Sequence, residues 1–183
     1  MNKIKSINYN KYKIKKDLIE KLNFIDNKNI PAIKSIHINV GLKSATTNKA
    51  NLVPIILSLE LITGQKPVVT YAKASIATFK LKKNMPIGCK VKLTKDKADL
   101  FLFKLITNVL PNIKEFTGFG GKHFDGKGNF AFGLEDFTLF SEISLIYDKF
   151  ELNSGMDIVI TTTTNSDLEA KLLLSGYNIP FIN

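Results

Sequence analysis

The chain has 183 residues, with 26 basic against 16 acidic side chains and a formal net charge of +10 at pH 7. That length predicts one compact domain, residues 31–183, carrying a helical arm at 1–30. No apolar run approaches the roughly 18 to 20 residues of a membrane span, so a soluble chain with no membrane partner is expected.

Cys89 is the only cysteine, which excludes an internal disulfide, and Cys89, His37 and His123 are too scattered for structural zinc. No metal or cofactor is expected. Every basic residue is a lysine. Residues 1–100 hold 20 lysines against 6 acids, and residues 101–183 hold 6 against 10. This division suits a chain that docks one surface on a polyanion and leaves another in solvent or against protein. Without guanidinium forks, phosphate and shape recognition are favoured over reading of base edges. Heavy use of lysine, asparagine and isoleucine points to an adenine- and thymine-rich genome, that of an organelle or a low-GC bacterium.

In chain order, "YNKYKIKKDLIEKLNF" spaces Ile14, Leu18, Ile19 and Leu22 as one face of an amphipathic helix. Its Asp17, Glu20 and lack of arginine argue against a transit peptide, so it is taken as part of the mature chain. "IKSIHINVG" is rich in β-branched residues and predicts a first strand ending near Gly41. A helix follows in "TTNKANLVPIILSLELITG", with Thr47 or Asn48 as N-cap and Gly64 as its stop. Pro54 requires that helix to begin close to Val53 or to kink.

"KPVVTYA" and "GCKVKLT" predict two strands, the second with Lys90 and Lys92 on one face and Cys89, Val91 and Leu93 on the other. The 72–85 loop lies between them. From Lys66 to Lys95 there are eight lysines and no acid, a self-repelling arrangement that a polyanion would neutralise. Phe79 sits among these lysines and reads first as a core or loop anchor, second as a base-stacking ring.

Asp96 opens a helix whose spacing predicts a buried face of Leu100, Phe103, Ile106 (or Thr107) and Leu110, closed by Pro111. The glycine-rich 116–133 stretch reads as turns and a ribbon, and "GMDIVITTTT" as a strand. Ser166 and Glu169 form a capping-box pattern for a last helix, with Gly176 past its end and Pro180 beyond. Together these elements predict an α+β fold, largely an antiparallel sheet with helices packed on one face, RRM-like or ferredoxin-like in outline, with an extended basic loop.

"GKHFDGKG" at 121–128 matches a phosphate-binding loop except that Gly128 replaces the magnesium-holding hydroxyl. The following "NFAFG" alternates as a strand, where such a loop leads into a helix. A nucleotide-binding enzyme is the alternative reading; a glycine-rich turn tied by Asp125 and Asn129 is preferred. His123 with Asp125 and Glu135 with Asp136 show no spacing that supplies a nucleophile with a base.

The segments "ITGQKPVVTYAKASIATFKLKKNMPIGCKVKL", "FDGKGNFAFG" and "GMDIVITTTTNSDLEAKLLLSGYNIPF" resemble, in order, the hallmarks of the ribosomal large-subunit protein five family in its bacterial and organellar form. The resemblance implies a non-enzymatic protein that anchors 5S ribosomal RNA in the central protuberance. It implies 5S contacts by Asn39, Gln65, Lys66, Thr70, Lys90 and Lys92. It further implies a loop near peptidyl-site transfer RNA carrying Lys73, Ser75, Phe79, Lys80, Lys82 and Lys83. Its implied partners are large-subunit ribosomal RNA, neighbouring large-subunit proteins and small-subunit protein thirteen across the subunit interface; a free 5S ribosomal RNA carrier acting before assembly would share the same site. Lys92 replaces a frequent family threonine, Lys82, Lys114 and Lys127 replace arginines, and Tyr71 and Ala74 reduce the loop's charge. A ribosome in the mitochondrial matrix is expected, with plastid stroma or bacterial cytoplasm as alternatives.

Overall fold

A computed structural model describes residues 2–22, 30–42, 49–136, 139–144 and 155–182. The architecture is α+β, a five-stranded antiparallel sheet with helices. The strands are β1 (Ile33–Gly41), β2 (Val68–Tyr71), β3 (Pro86–Leu93), β4 (Phe130–Leu134) and β5 (Met156–Thr162), in the spatial order β2-β3-β1-β5-β4. The helices are α1 (Asn2–Leu22), α2 (Leu52–Thr63), α3 (Asp96–Lys104), α4 (Ser141–Ser144) and α5 (Asp167–Gly176). No helix among the described residues is long and apolar enough to cross a membrane. The chain divides into two compact units, the first of Met1–Ile36, Thr94–Phe132 and Val159–Asn183, the second of His37–Leu93 and Gly133–Ile158.

In the first unit, the helical spacing of α1 buries Ile14 and Leu18 against Ile30 and Leu173, with Ile19 and Leu22 packed at the margin. Lys11 on the same helix pairs with Asp99 of α3 at 2.9 Å, and Asp99 is only 6% exposed. A carboxylate that deep is tolerable because the ammonium partner is supplied. Burial, with the Asp99 carboxylate second, pushes the Tyr177 phenol up.

The predicted face of α3 is corrected. Leu110 is buried as expected, but the rest of the buried set is Ala98, Asp99, Phe101, Leu102, Leu105 and Val109, whereas Leu100, Phe103 and Ile106 are half-exposed and Thr107 is exposed. After Lys104 the chain continues as a wider π turn over Leu105–Val109 and a 3-10 turn over Leu110–Asn112.

The capping box at α5 does not form, because Ser166 makes no side-chain cap bond. Gly176 also lies inside the helix, and the left-handed residue beyond it is Asn178, at φ 68°. The C-terminal tail is paired instead with the glycine-rich stretch: Phe119 donates its N–H to the Pro180 carbonyl, and Ile182 donates to that of Phe119. Phe119, Phe124, Phe130, Phe132 and Phe181 share ring contacts there.

In the second unit, α2 packs on β3. Pro54 falls in the first turn of α2, after a 3-10 turn at Lys49–Asn51, so it breaks no helical bond. The N-cap candidates Thr47 and Asn48 lie outside the described residues. Gly64 ends the helix at φ 62° and donates to the Glu60 carbonyl, a left-handed cap that glycine adopts without strain. Strand β3 alternates as its sequence predicts: Cys89, Val91 and Leu93 are buried, Lys90 and Lys92 exposed. Burial pushes the Cys89 thiol up to about 11, so it serves as a small core side chain and not as a nucleophile.

Candidate nucleic-acid interface

Because successive strand residues face opposite ways, burying Ile36, Ile38 and Val40 of β1 leaves His37 and Asn39 on the other face. That is the face of Lys90 and Lys92, whose charges act on the His37 imidazole. Register brings β2 into the same surface, since Val68 pairs with Lys90 and Thr70 with Gly88.

Gly88 is required at this point. A Cβ there would run into the Val40 carbonyl oxygen and lie 3.2 Å from Thr70 Oγ1. The missing side chain lets β1 and β2 crowd against β3, and it places the Thr70 hydroxyl on the lysine face.

Asn39, Thr70, Lys90 and Lys92 therefore converge on one face of the second unit. Gln65 and Lys66 sit at its edge, in the turn between α2 and β2. Gln65 is half-buried, and its Nε2 donates to the Lys92 carbonyl at 3.2 Å, so this amide braces β3 as well as lying beside the lysines. Among the described residues no ion pair engages Lys66, Lys90 or Lys92. Burial first, then Lys92 and Lys90, hold the His37 imidazole below its ordinary range. His37 belongs to this face although nothing in its own segment singled it out. Its signal was its alternation with Asn39, which only cross-strand register converts into a neighbour of two lysines.

The 72–85 loop is a built finger. Its base is closed by Ala72 donating to Met85 and Asn84 to Ala72, and its tip by paired bonds between Ile76 and Leu81. Between them the Lys83 N–H donates to Ser75 Oγ at 3.0 Å, so Ser75 is a strut of the finger. A 3-10 turn at Ala77–Phe79 and a left-handed Lys80 at φ 55° make the reversal. Lys73, Lys80, Lys82 and Lys83 are all exposed. Phe79 is 66% exposed, which overturns the core half of its reading as a core or loop anchor.

The 121–128 loop is no phosphate cradle. The N–H groups of Gly126 and Gly128 both donate to the Asp167 carboxylate, at 3.0 and 2.7 Å, and the Lys127 N–H donates to Asp125. Asn129 closes the turn with two bonds to Asp125, the preferred reading of the sequence, and these bonds hold the Asp125 carboxyl below its usual range. The donors a phosphate would need are thus taken by the chain's own acids, and the loop runs into β4, not into a helix. Asp167 could not be found from the loop sequence, since it lies 39 positions beyond Gly128. His123 shares its Nδ1 with the Ala131 carbonyl, not with Asp125.

Two family models match the chain, one describing the C-terminus of the ribosomal L5 family over residues 86–181 and one described as ribosomal protein L5 over residues 27–82. The lysine face draws β1 and β2 from the region of the second match and β3 from that of the first. With most of the sequence matched in order, the chain belongs to the ribosomal protein L5 family, structural and non-enzymatic constituents of the large ribosomal subunit that bind ribosomal RNA among its other proteins.

Proposed function

We propose that the lysine face of the second unit binds 5S ribosomal RNA and holds it in the central protuberance against large-subunit ribosomal RNA. The observation that carries this reading is the convergence of Asn39, Thr70, Lys90 and Lys92, edged by Gln65 and Lys66, on strands β1, β2 and β3, which contain no acid. Ammonium groups take phosphates as point charges, while the Asn39 amide and Thr70 hydroxyl are suited to sugar and base edges.

The finger reaches toward peptidyl-site transfer RNA. Lys73, Lys80, Lys82 and Lys83 supply charge, Ser75 holds the shape, and Phe79 at the tip offers a ring for stacking. The contact with small-subunit protein thirteen and the mitochondrial setting rest on family resemblance and on composition.

Filter binding to 5S ribosomal RNA over a salt series tests the division of labour. Asn39→Ala with Gln65→Ala is expected to weaken binding by roughly tenfold or more, two lost polar contacts at about 1 kcal/mol each. Lys82→Glu with Lys83→Glu is expected to leave the 5S affinity within about threefold while impairing transfer-RNA positioning in translation. Unchanged 5S affinity in the first variant refutes the sheet assignment; a collapsed fold in the second refutes the finger.

A further inference from the structure

We propose that His37 is a proton-coupled contact of the lysine face: when a phosphate backbone docks, the imidazole takes up a proton and joins Lys90 and Lys92 as a third cation. This rests on the reading above and adds a residue and a chemistry to it.

The geometry supplies both halves of the argument. His37 is half-exposed on β1, two residues from Asn39 on the same face, with Lys90 and Lys92 of the adjoining β3 acting on it. On β2, which pairs with β3, the residues sharing this face are the uncharged Val68 and Thr70. The strand on the other side of β1, β5, contains one ionisable residue, the exposed Asp157. Lys34 on β1 itself alternates to the opposite face. Burial is the larger cause that holds the imidazole below its ordinary range in the free protein, and the charges of Lys92 and Lys90 add to it. A docked phosphate backbone reverses the charge contribution. It neutralises Lys90 and Lys92 and brings anionic acceptors to the ring, so the bound state holds a proton more tightly than the free one.

The sign follows from linkage. Protons favour the complex, fully below the free-state midpoint of His37, and the advantage is lost as pH rises through the higher bound-state midpoint. Each unit between the two midpoints corresponds to about tenfold in affinity.

The test is filter binding of 5S ribosomal RNA to the full chain and to His37→Gln from pH 8.5 to 5.5 at fixed salt. It is paired with NMR titration of the imidazole with and without RNA, with His123, the one other histidine, as internal reference. The parent chain is expected to tighten by about fivefold to tenfold more than His37→Gln as pH falls, and its His37 midpoint to move up on binding. Parallel affinity curves, or a midpoint unmoved by RNA, overturn the inference while tight binding at pH 8 leaves the 5S reading standing. Weak binding at every pH, indifferent to Asn39→Ala with Gln65→Ala, overturns both.

Discussion

Lys90→Glu combined with Lys92→Glu is expected to lower the affinity for 5S ribosomal RNA on the order of a hundredfold while leaving the protein folded. Two ammonium groups that neutralise phosphates are lost and two carboxylates that repel them are gained. Each lost phosphate contact should also flatten the logarithmic salt dependence by about 0.7 to 0.9. The fold has little stake in either side chain. Both are exposed on β3, no ion pair among the described residues engages them, and the bond from Gln65 ends on the main-chain carbonyl of Lys92. The melting temperature should stay within about 2 °C of the parent, the scale of a change below about 1 kcal/mol in a chain of this size. An affinity within about threefold of the parent in filter binding, at matched salt, places the RNA elsewhere.

Gly128→Ala is expected to show the opposite pattern, a loss of stability by about 3 kcal/mol or more, read as a melting temperature lowered by roughly 10 °C. Gly128 sits at φ 76°, where an alanine is strained by about 1 kcal/mol. The added Cβ would also collide with Thr164 Oγ1 and lie 2.8 Å from the Thr164 carbonyl oxygen. There is little room for that threonine to yield. Thr164 is buried, shares a 3.0 Å hydroxyl contact with Thr162, and donates to the Ser166 carbonyl, while Thr162 donates to the carbonyl of Gly128 itself at 2.7 Å. The substitution therefore disturbs a buried hydroxyl network and both Asp167 bonds to the loop. A melting temperature within 2 °C of the parent contradicts the packing around Gly128.

What could be read from sequence divides along the range of the interactions involved. Local periodicity identified the buried face of α1, the alternation of β3, the stop at Gly64 and the Asp125–Asn129 turn, because each depends on neighbours within a few positions. Helix α3 defeated the same method. Apolar residues occupy every position from Leu100 to Phe103, so the phase was ambiguous, and Asp99 pointed away from the true face. Lys11, 88 positions earlier, makes Asp99 acceptable inside, and the π turn at Leu105–Val109 shifts the later residues further.

The interface was legible in its ingredients and not in its assembly. Lysine density between 66 and 95, and the family resemblance, singled out Lys90, Lys92 and the finger. The pit at Gly88 and the place of His37 beside two lysines depend on cross-strand register, which no single segment encodes. The cap of α5 was not realised either: Ser166 has the right spacing but makes no side-chain cap bond, while the Asp167 carboxylate beside it bonds the distant Gly126 and Gly128, a pairing that no local pattern encodes.

Since the chain has no arginine, lysine acetylation read residue by residue covers every basic side-chain contact except those of its two histidines. Comparing the free protein with its 5S ribosomal RNA complex tests the lysine face most directly. Lys66, Lys90 and Lys92 are expected to be protected in the complex, while Lys114 and Lys171 in the first unit react as they do in the free protein. Lys90 and Lys92 retaining their free reactivity in a fully bound sample would contradict the assignment.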